Sequence, residues 1–403
     1  MITLLRRHNW FTLATIFFVT LLSFGQLQRW QVTPTIAFYF HDVVAVVISG
    51  WYCWKKRAVI SNSIAHFNWL KWRFTLIFIL VVVLGWGLAV LREENLIRPL
   101  LYVIRLMLYS LTIVGLSKEY VRQPIRGISL TSWWLGSGLL VVMFGLLQYW
   151  LLPDTRFLSV LGWDDHYFRL ISTLFDPAFT GMVLVLLILV FIAQQKNTLL
   201  YLAALVATSI ALGLTFSRSS FVALGVGLLV LALLMMWRKK LKAVAVTKMA
   251  VIACMVLVTV WLAPKPTGEG VNLTRSSTIT ARSSQITGVV SSMQPVQWLV
   301  GTGLFIPLNH LSGPATSTTV PDHAHAPDNI LVFVLYSFGV VGCLVLALAL
   351  YQQRQLFRGW SWWAPALVLA TLTHSLFNNT FFQPFIWLYL WGLLMASRLE
   401  RDR

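Results

Sequence analysis

The stretch APKPTGEGVNLTRSSTITARSSQITG (Ala263–Gly288), continued to PDHAHAPDN (Pro321–Asn329), sets the fold of this chain. It is a long polar interval in a sequence otherwise built of apolar runs. Ala245–Ala263 lies on one side and Asn329–Leu350 on the other, each long enough for a membrane helix. Working outward, runs of roughly 16 or more apolar residues recur to both ends. Of 403 residues, 58% are hydrophobic and 11% charged. A soluble domain carries about 25% charged residues. In hydrocarbon the backbone must satisfy its own polar groups, so the runs are helices. The expectation is an all-α polytopic membrane protein with about twelve transmembrane helices. These are Trp10–Leu27, Thr35–Trp54, Phe74–Leu91, Leu100–Leu116, Thr131–Leu152, Ala178–Ala193, Thr198–Phe216, Ser220–Trp237, Ala245–Ala263, Asn329–Leu350, Trp360–Leu376 and Phe382–Ala396. Residues 1–403 form a single membrane domain, with 264–328 as one large extracytoplasmic loop.

The charges orient this arrangement. With the N-terminus inside, the inner segments hold twenty cations and three carboxylates, and the outer segments hold nine of each. Arg105, Lys248 and Asp42 fall within helices. Cytoplasmic loops are enriched in Lys and Arg, so both termini are expected in the cytoplasm of a multi-pass plasma-membrane protein. The net charge of +18 therefore reports topology. No cationic cluster lies in a soluble module, and a nucleic-acid partner is not expected. Trp10–Phe24 follows Arg6 and Arg7 like a signal peptide, but no A-x-A site follows, and an uncleaved first helix is expected. Cys53, Cys254 and Cys343 are far apart in apolar runs and read as small buried hydrophobes, not a disulfide or metal framework.

The candidate functional residues gather in the outer segments. Arg218, in Thr215-Phe-Ser-Arg-Ser-Ser-Phe, sits between two apolar helices with almost no loop. It reads either as an arginine reaching the headgroups or as an anion site, where Ser217, Ser219 and Ser220 at a helix start would add donors. Arg275 and Arg282 are seven apart, and would share one face if their segment is a helix and not a flexible loop. The loop Pro153–Pro177 supplies Arg169. In Pro321-Asp-His-Ala-His-Ala-Pro-Asp-Asn, the pair His323 and His325 has metal-like spacing, but Asp322 and Asp328 complete no known ligand pattern. Pro327 places a helix start at Asp328 or Asn329, leaving His325 just outside it as a candidate general base. Arg105 and Asp42, each within an apolar run, pair with one another or line a polar cavity. Gly301-Thr-Gly303 lacks the context of a dinucleotide site.

Three local motifs in order carry a family resemblance. They are Arg169-Leu-Ile-Ser-Thr-Leu-Phe-Asp-Pro-Ala-Phe, Phe216-Ser-Arg-Ser-Ser, and His325-Ala-Pro-Asp-Asn-Ile-Leu followed by Gly339-Val-Val-Gly. Together they resemble the bacterial O-antigen ligase and O-antigen polymerase superfamily of membrane glycosyltransferases. The resemblance runs from Arg169 onward; the first five helices match only in hydropathy. It implies transfer of a glycan from undecaprenyl diphosphate to a glycan or lipid acceptor hydroxyl, in the bacterial inner membrane, without metal or cofactor. Carried over, Arg218, Arg275 and Arg282, with Arg169, bind the diphosphate and His325 is the base. His323, Asp328 and Asn329 support it. Family members often place His directly before Asn, whereas Ala326, Pro327 and Asp328 intervene here, so His323 stays a second candidate base. A transporter or flippase of lipid-linked sugars, and a non-catalytic scaffold, are the alternatives.

Overall fold

The structure, a computed structural model, describes residues 10–33, 36–122, 129–266, 270–307, 327–357 and 359–401. The helices are α1 (Trp10–Leu22), α2 (Phe40–Lys55), α3 (Arg57–Ala65), α4 (Trp69–Leu91), α5 (Ile97–Arg122), α6 (Leu130–Leu151), α7 (Pro177–Ala193), α8 (Leu199–Leu214), α9 (Arg218–Trp237), α10 (Ala243–Leu262), α11 (Ser277–Ser292), α12 (Pro295–Val300), α13 (Ile330–Gln352), α14 (Ala364–Ser375) and α15 (Pro384–Arg401). Six of them, α4, α5, α6, α9, α10 and α13, are long and apolar enough to cross a membrane. The other apolar runs form shorter helices, among them α7 and α8.

The bundle is built around α7. Its sequence is apolar on every face, and it is buried without a break from Thr180 to Ala193. A helix apolar all round belongs where helices surround it. Small residues let those neighbours approach: Gly181 lies against Ser220 of α9, and Gly227 of α9 against Leu189 of α7 and Ala370 of α14. By contrast, α4 and α10 show most of their apolar side chains outward, as lipid-facing helices do. Cys254 is exposed on α10, and Cys53 and Cys343 are half-buried, so none of the three is the fully buried residue expected.

One expected helix start is corrected. The helix expected from Thr35 begins at Phe40, and before it β1 (Arg29–Thr33) pairs antiparallel with β2 (Ile36–Tyr39). Short runs rich in β-branched and aromatic residues do not reveal by apolarity alone whether they are strand or helix. The helix begins where Asp42 accepts from the Tyr39 amide at 3.0 Å. Asp42 also pairs with Arg105 at 3.0 Å, one of the two arrangements expected of these charges.

Hydrogen bonds sort the connections into two ends. At one end Thr173 donates to Ser23, Leu170 to Leu214, Arg218 to Leu273, and Asn329 to Leu376. At the other, Lys55 pairs with Glu119, Lys248 donates to Lys196, and Gln352 donates to Leu70.

Between α10 and α13, α12 leads into a turn that clips onto α13. Inside α13, Gly339 has φ 61°, which breaks the helix. The carbonyls thus freed are met from outside: Tyr336 accepts from the Thr302 amide at 2.8 Å and Ser337 from the Gly303 amide at 3.2 Å. A helix break at membrane depth is tolerated when neighbouring groups satisfy the freed backbone. Gly301 and Gly339 allow the approach; a Cβ on either would collide with the other segment's backbone.

Candidate functional site

Four arginines from separate segments converge at the first of the two ends. Arg169 lies in the connection between α6 and α7. That connection is pinned: Gln148 accepts from the Ile171 amide at 3.0 Å, and Asp176 caps α7 by accepting from Phe179 at 2.7 Å. Arg169 is 7% exposed, and its Nε donates to the Thr215 carbonyl at 3.0 Å. It thereby braces the turn between α8 and α9. In that turn Phe216 holds φ 49°, and nearby Phe168, Ser172 and Phe175 also have positive φ. Non-glycine residues rarely adopt this region, and such strain concentrates at functional sites.

Arg218 is the first residue of α9, with Ser217 as cap. Its Nη1 donates to the Leu273 carbonyl at 3.2 Å and to the Arg275 carbonyl at 2.8 Å. The segment after α10 is therefore hung on Arg218. Arg275 itself donates to the Gly270 carbonyl. Arg282, on α11, donates through Nη2 to Asn378 Oδ1 at 2.9 Å. Asp328 Oδ2 stands 3.9 Å from Arg282 Nε, which is buried and has no hydrogen-bond partner among the described residues.

The cluster works against itself electrostatically. Burial, then the charge of Arg275 and more weakly that of Arg218, pull Arg169 down to about 10, with Asp176 and Asp164 opposing. Burial also lowers Arg282; Asp328 opposes this and Arg218 adds to it. Both remain charged at neutral pH, held closer together than solvated cations would choose. A bound polyanion would relieve that repulsion.

Of the residues singled out in the sequence, Arg169, Arg218, Arg275, Arg282 and Asp328 are brought together here. Asn329 caps α13, accepting from Leu331 at 2.9 Å, and its Nδ2 donates to the Leu376 carbonyl. The segment of Arg275 and Arg282 is helical only from Ser277. Arg275 thus precedes α11 and does not share a helical face with Arg282; the two meet through Arg218, which contacts one and repels the other. His323 and His325 lie outside the described residues. Among those described, no three His, Cys, Asp or Glu side chains gather as a metal site needs.

Sequence reading missed the layer beneath the arginines. His374, in the last turn of α14, reaches Ser219 and Ser220 of α9 and contacts Thr380, and Asn378, after α14, reaches Ser219. A histidine in an apolar run was the available signal.

A family model described as O-antigen ligase matches residues 202–347. Through that stretch the chain is similar to the O-antigen ligase family. The ligase match takes in Arg218, Arg275, Arg282 and the clip at Gly339, and stops before His374. It carries a glycosyltransferase-like function in a multi-pass membrane protein. No curated protein matches the chain.

Proposed function

We propose that the protein transfers a glycan from a polyprenyl diphosphate, of the undecaprenyl type, to an acceptor hydroxyl at the arginine cluster. The observation that carries this reading is the convergence of Arg169, Arg218, Arg275 and Arg282 at one end of the bundle, with the buried Arg282 Nε making no hydrogen bond among the described residues. Two phosphates need several forked donors, and a start of α9 flanked by serines adds more. The acceptor oxygen forms a bond to the anomeric carbon while the bond from that carbon to the phosphate oxygen breaks. Polyprenyl diphosphate leaves with its extra negative charge, which fixed guanidinium groups stabilise without reorganising. The acceptor's proton goes to His325, the proposed base. His325 precedes Asp328 by three positions in the chain, and Asp328 lies beside Arg282. The charge balance of the connections supports an extracytoplasmic site. In a transporter, intramembrane charge would be expected near the midplane; the arginines here gather at one end of the bundle, which favours an enzyme.

The test is Arg218→Lys. An ammonium keeps the charge but not the fork. Transfer of a labelled polyprenyl-diphosphate glycan by the purified variant should fall about 30- to 1000-fold, the range for losing one charge-assisted contact in a dry site. Full transfer by a well-folded Lys variant would remove Arg218 from the site.

A further inference from the structure

Beneath the arginines, a line of hydrogen bonds runs in one direction. Thr380 Oγ1 donates to the Asn378 carbonyl at 3.0 Å, which uses its only hydrogen. The 2.6 Å contact between Thr380 Oγ1 and His374 Nδ1 is therefore a donation from the ring. A neutral imidazole protonated on Nδ1 has an acceptor at Nε2. That atom is 3.1 Å from Ser219 Oγ and 3.1 Å from Ser220 Oγ. Ser219 in turn accepts from Asn378 Nδ2 at 2.9 Å. Asn378 Oδ1 accepts from Arg282, a group that can only donate, and this fixes which way the amide faces.

We propose that Arg282, Asn378, Ser219, His374 and Thr380 form a positioning relay that aims Arg282 and the start of α9 at one shared ligand. The inference rests on the cluster being a diphosphate site. His374 is fully buried and is a positioning residue, not the base. A neutral imidazole suits the place because one rigid ring donates on one side and accepts on the other. Nδ1 ties the ring to the connection after α14, and Nε2 ties it to α9. Asn378 then carries the same reference to α11. With Nη2 committed to Asn378, Arg282 Nε, which faces Asp328 Oδ2 at 3.9 Å and makes no hydrogen bond among the described residues, is the atom offered to a phosphate oxygen.

The experiment uses the full chain in detergent, with thermal stabilisation by inorganic diphosphate as the binding readout and glycan transfer as the activity readout. Asn378→Ala and His374→Phe should each weaken diphosphate stabilisation and lower transfer about tenfold, the equivalent of 1.4 kcal/mol and within the range for a hydrogen bond to a charge. His374→Gln, whose amide oxygen can accept from Ser219, should retain more transfer than His374→Phe. In an Arg282→Ala background neither Asn378→Ala nor His374→Phe should cost more than twofold further, because groups acting as one unit are not additive. Losses that multiply with Arg282→Ala, or wild-type behaviour of Asn378→Ala, would overturn the relay. Should His374→Phe fail to fold, the cycle of Asn378→Ala with Arg282→Ala decides alone. The two failures look different. If diphosphate does not stabilise the wild type and Arg282→Ala transfers normally, the site reading falls and takes the relay with it. If Arg282→Ala loses both binding and transfer while Asn378→Ala and His374→Phe lose neither, only the relay falls.

Discussion

At the scale of single residues, the proposed reaction divides the work between the arginines and His325. The arginines hold charge; a base must lose and regain it. His325→Ala should therefore abolish transfer while leaving stabilisation by diphosphate near the wild-type value. Transfer by the wild type should fall as pH drops below about 6.5, where a free imidazole takes a proton and stops accepting one. Substantial activity and a flat acid limb in His325→Gln would make the residue a hydrogen-bonding ligand. Loss of binding and turnover together in His325→Ala would do the same. The arginines were legible in the sequence because a guanidinium at the edge of an apolar run is costly and so needs a reason. Asp42 and Arg105 were legible as partners for the same cause. His374 was not. Its partners Ser219 and Ser220 lie more than 150 positions away, and no local spacing connects them.

At the scale of elements, two backbone bonds clip the 301–303 turn onto α13. Thr302 and Gly303 of Gly301-Thr-Gly303 supply amides to the carbonyls that Gly339 frees. Gly339-Val-Val-Gly likewise turns out to be a break in a helix that hydropathy reads as continuous. Gly339→Ala should be strongly destabilising. It puts a side chain at φ 61° and drives a Cβ into the Leu299 backbone. The conformational cost alone is roughly 1–3 kcal/mol. Gly225→Ala is the matched control, since open space surrounds that position on α9. Thermal midpoints of the two variants in detergent should separate, with only Gly339→Ala shifted down. Equal midpoints would mean the clip is not under strain. The apolar runs themselves were legible, because twenty apolar residues in a row admit few other structures. The hairpin at Arg29–Tyr39 was not, since an apolar period of two is masked where both faces meet membrane or protein.

For the whole molecule, the sorting of connections into two ends gives the charge pattern a geometry. Arg169, Arg218, Arg275 and Arg282 share one end with the hairpin and the clip. Lys55, Lys248 and the α3 helix mark the other. Ser291 on α11 and Ser61 on α3 are both exposed, and they belong to opposite ends. Single cysteines there, in a variant whose three native cysteines are replaced, should label oppositely with an impermeant thiol reagent on intact cells. The Ser291 position should react from outside and the Ser61 position only after permeabilisation, since the end richer in Lys and Arg faces the cytoplasm. The reverse pattern would put the arginine cluster on the cytoplasmic face. Transfer would then draw on a donor that had not yet crossed the membrane, and the proposal of an extracytoplasmic ligase-like reaction would fail with the arginine geometry intact. Labelling of both from outside would break the alternation of helices instead, and would put one of the shorter apolar helices, α7 or α8 among them, in doubt as a crossing.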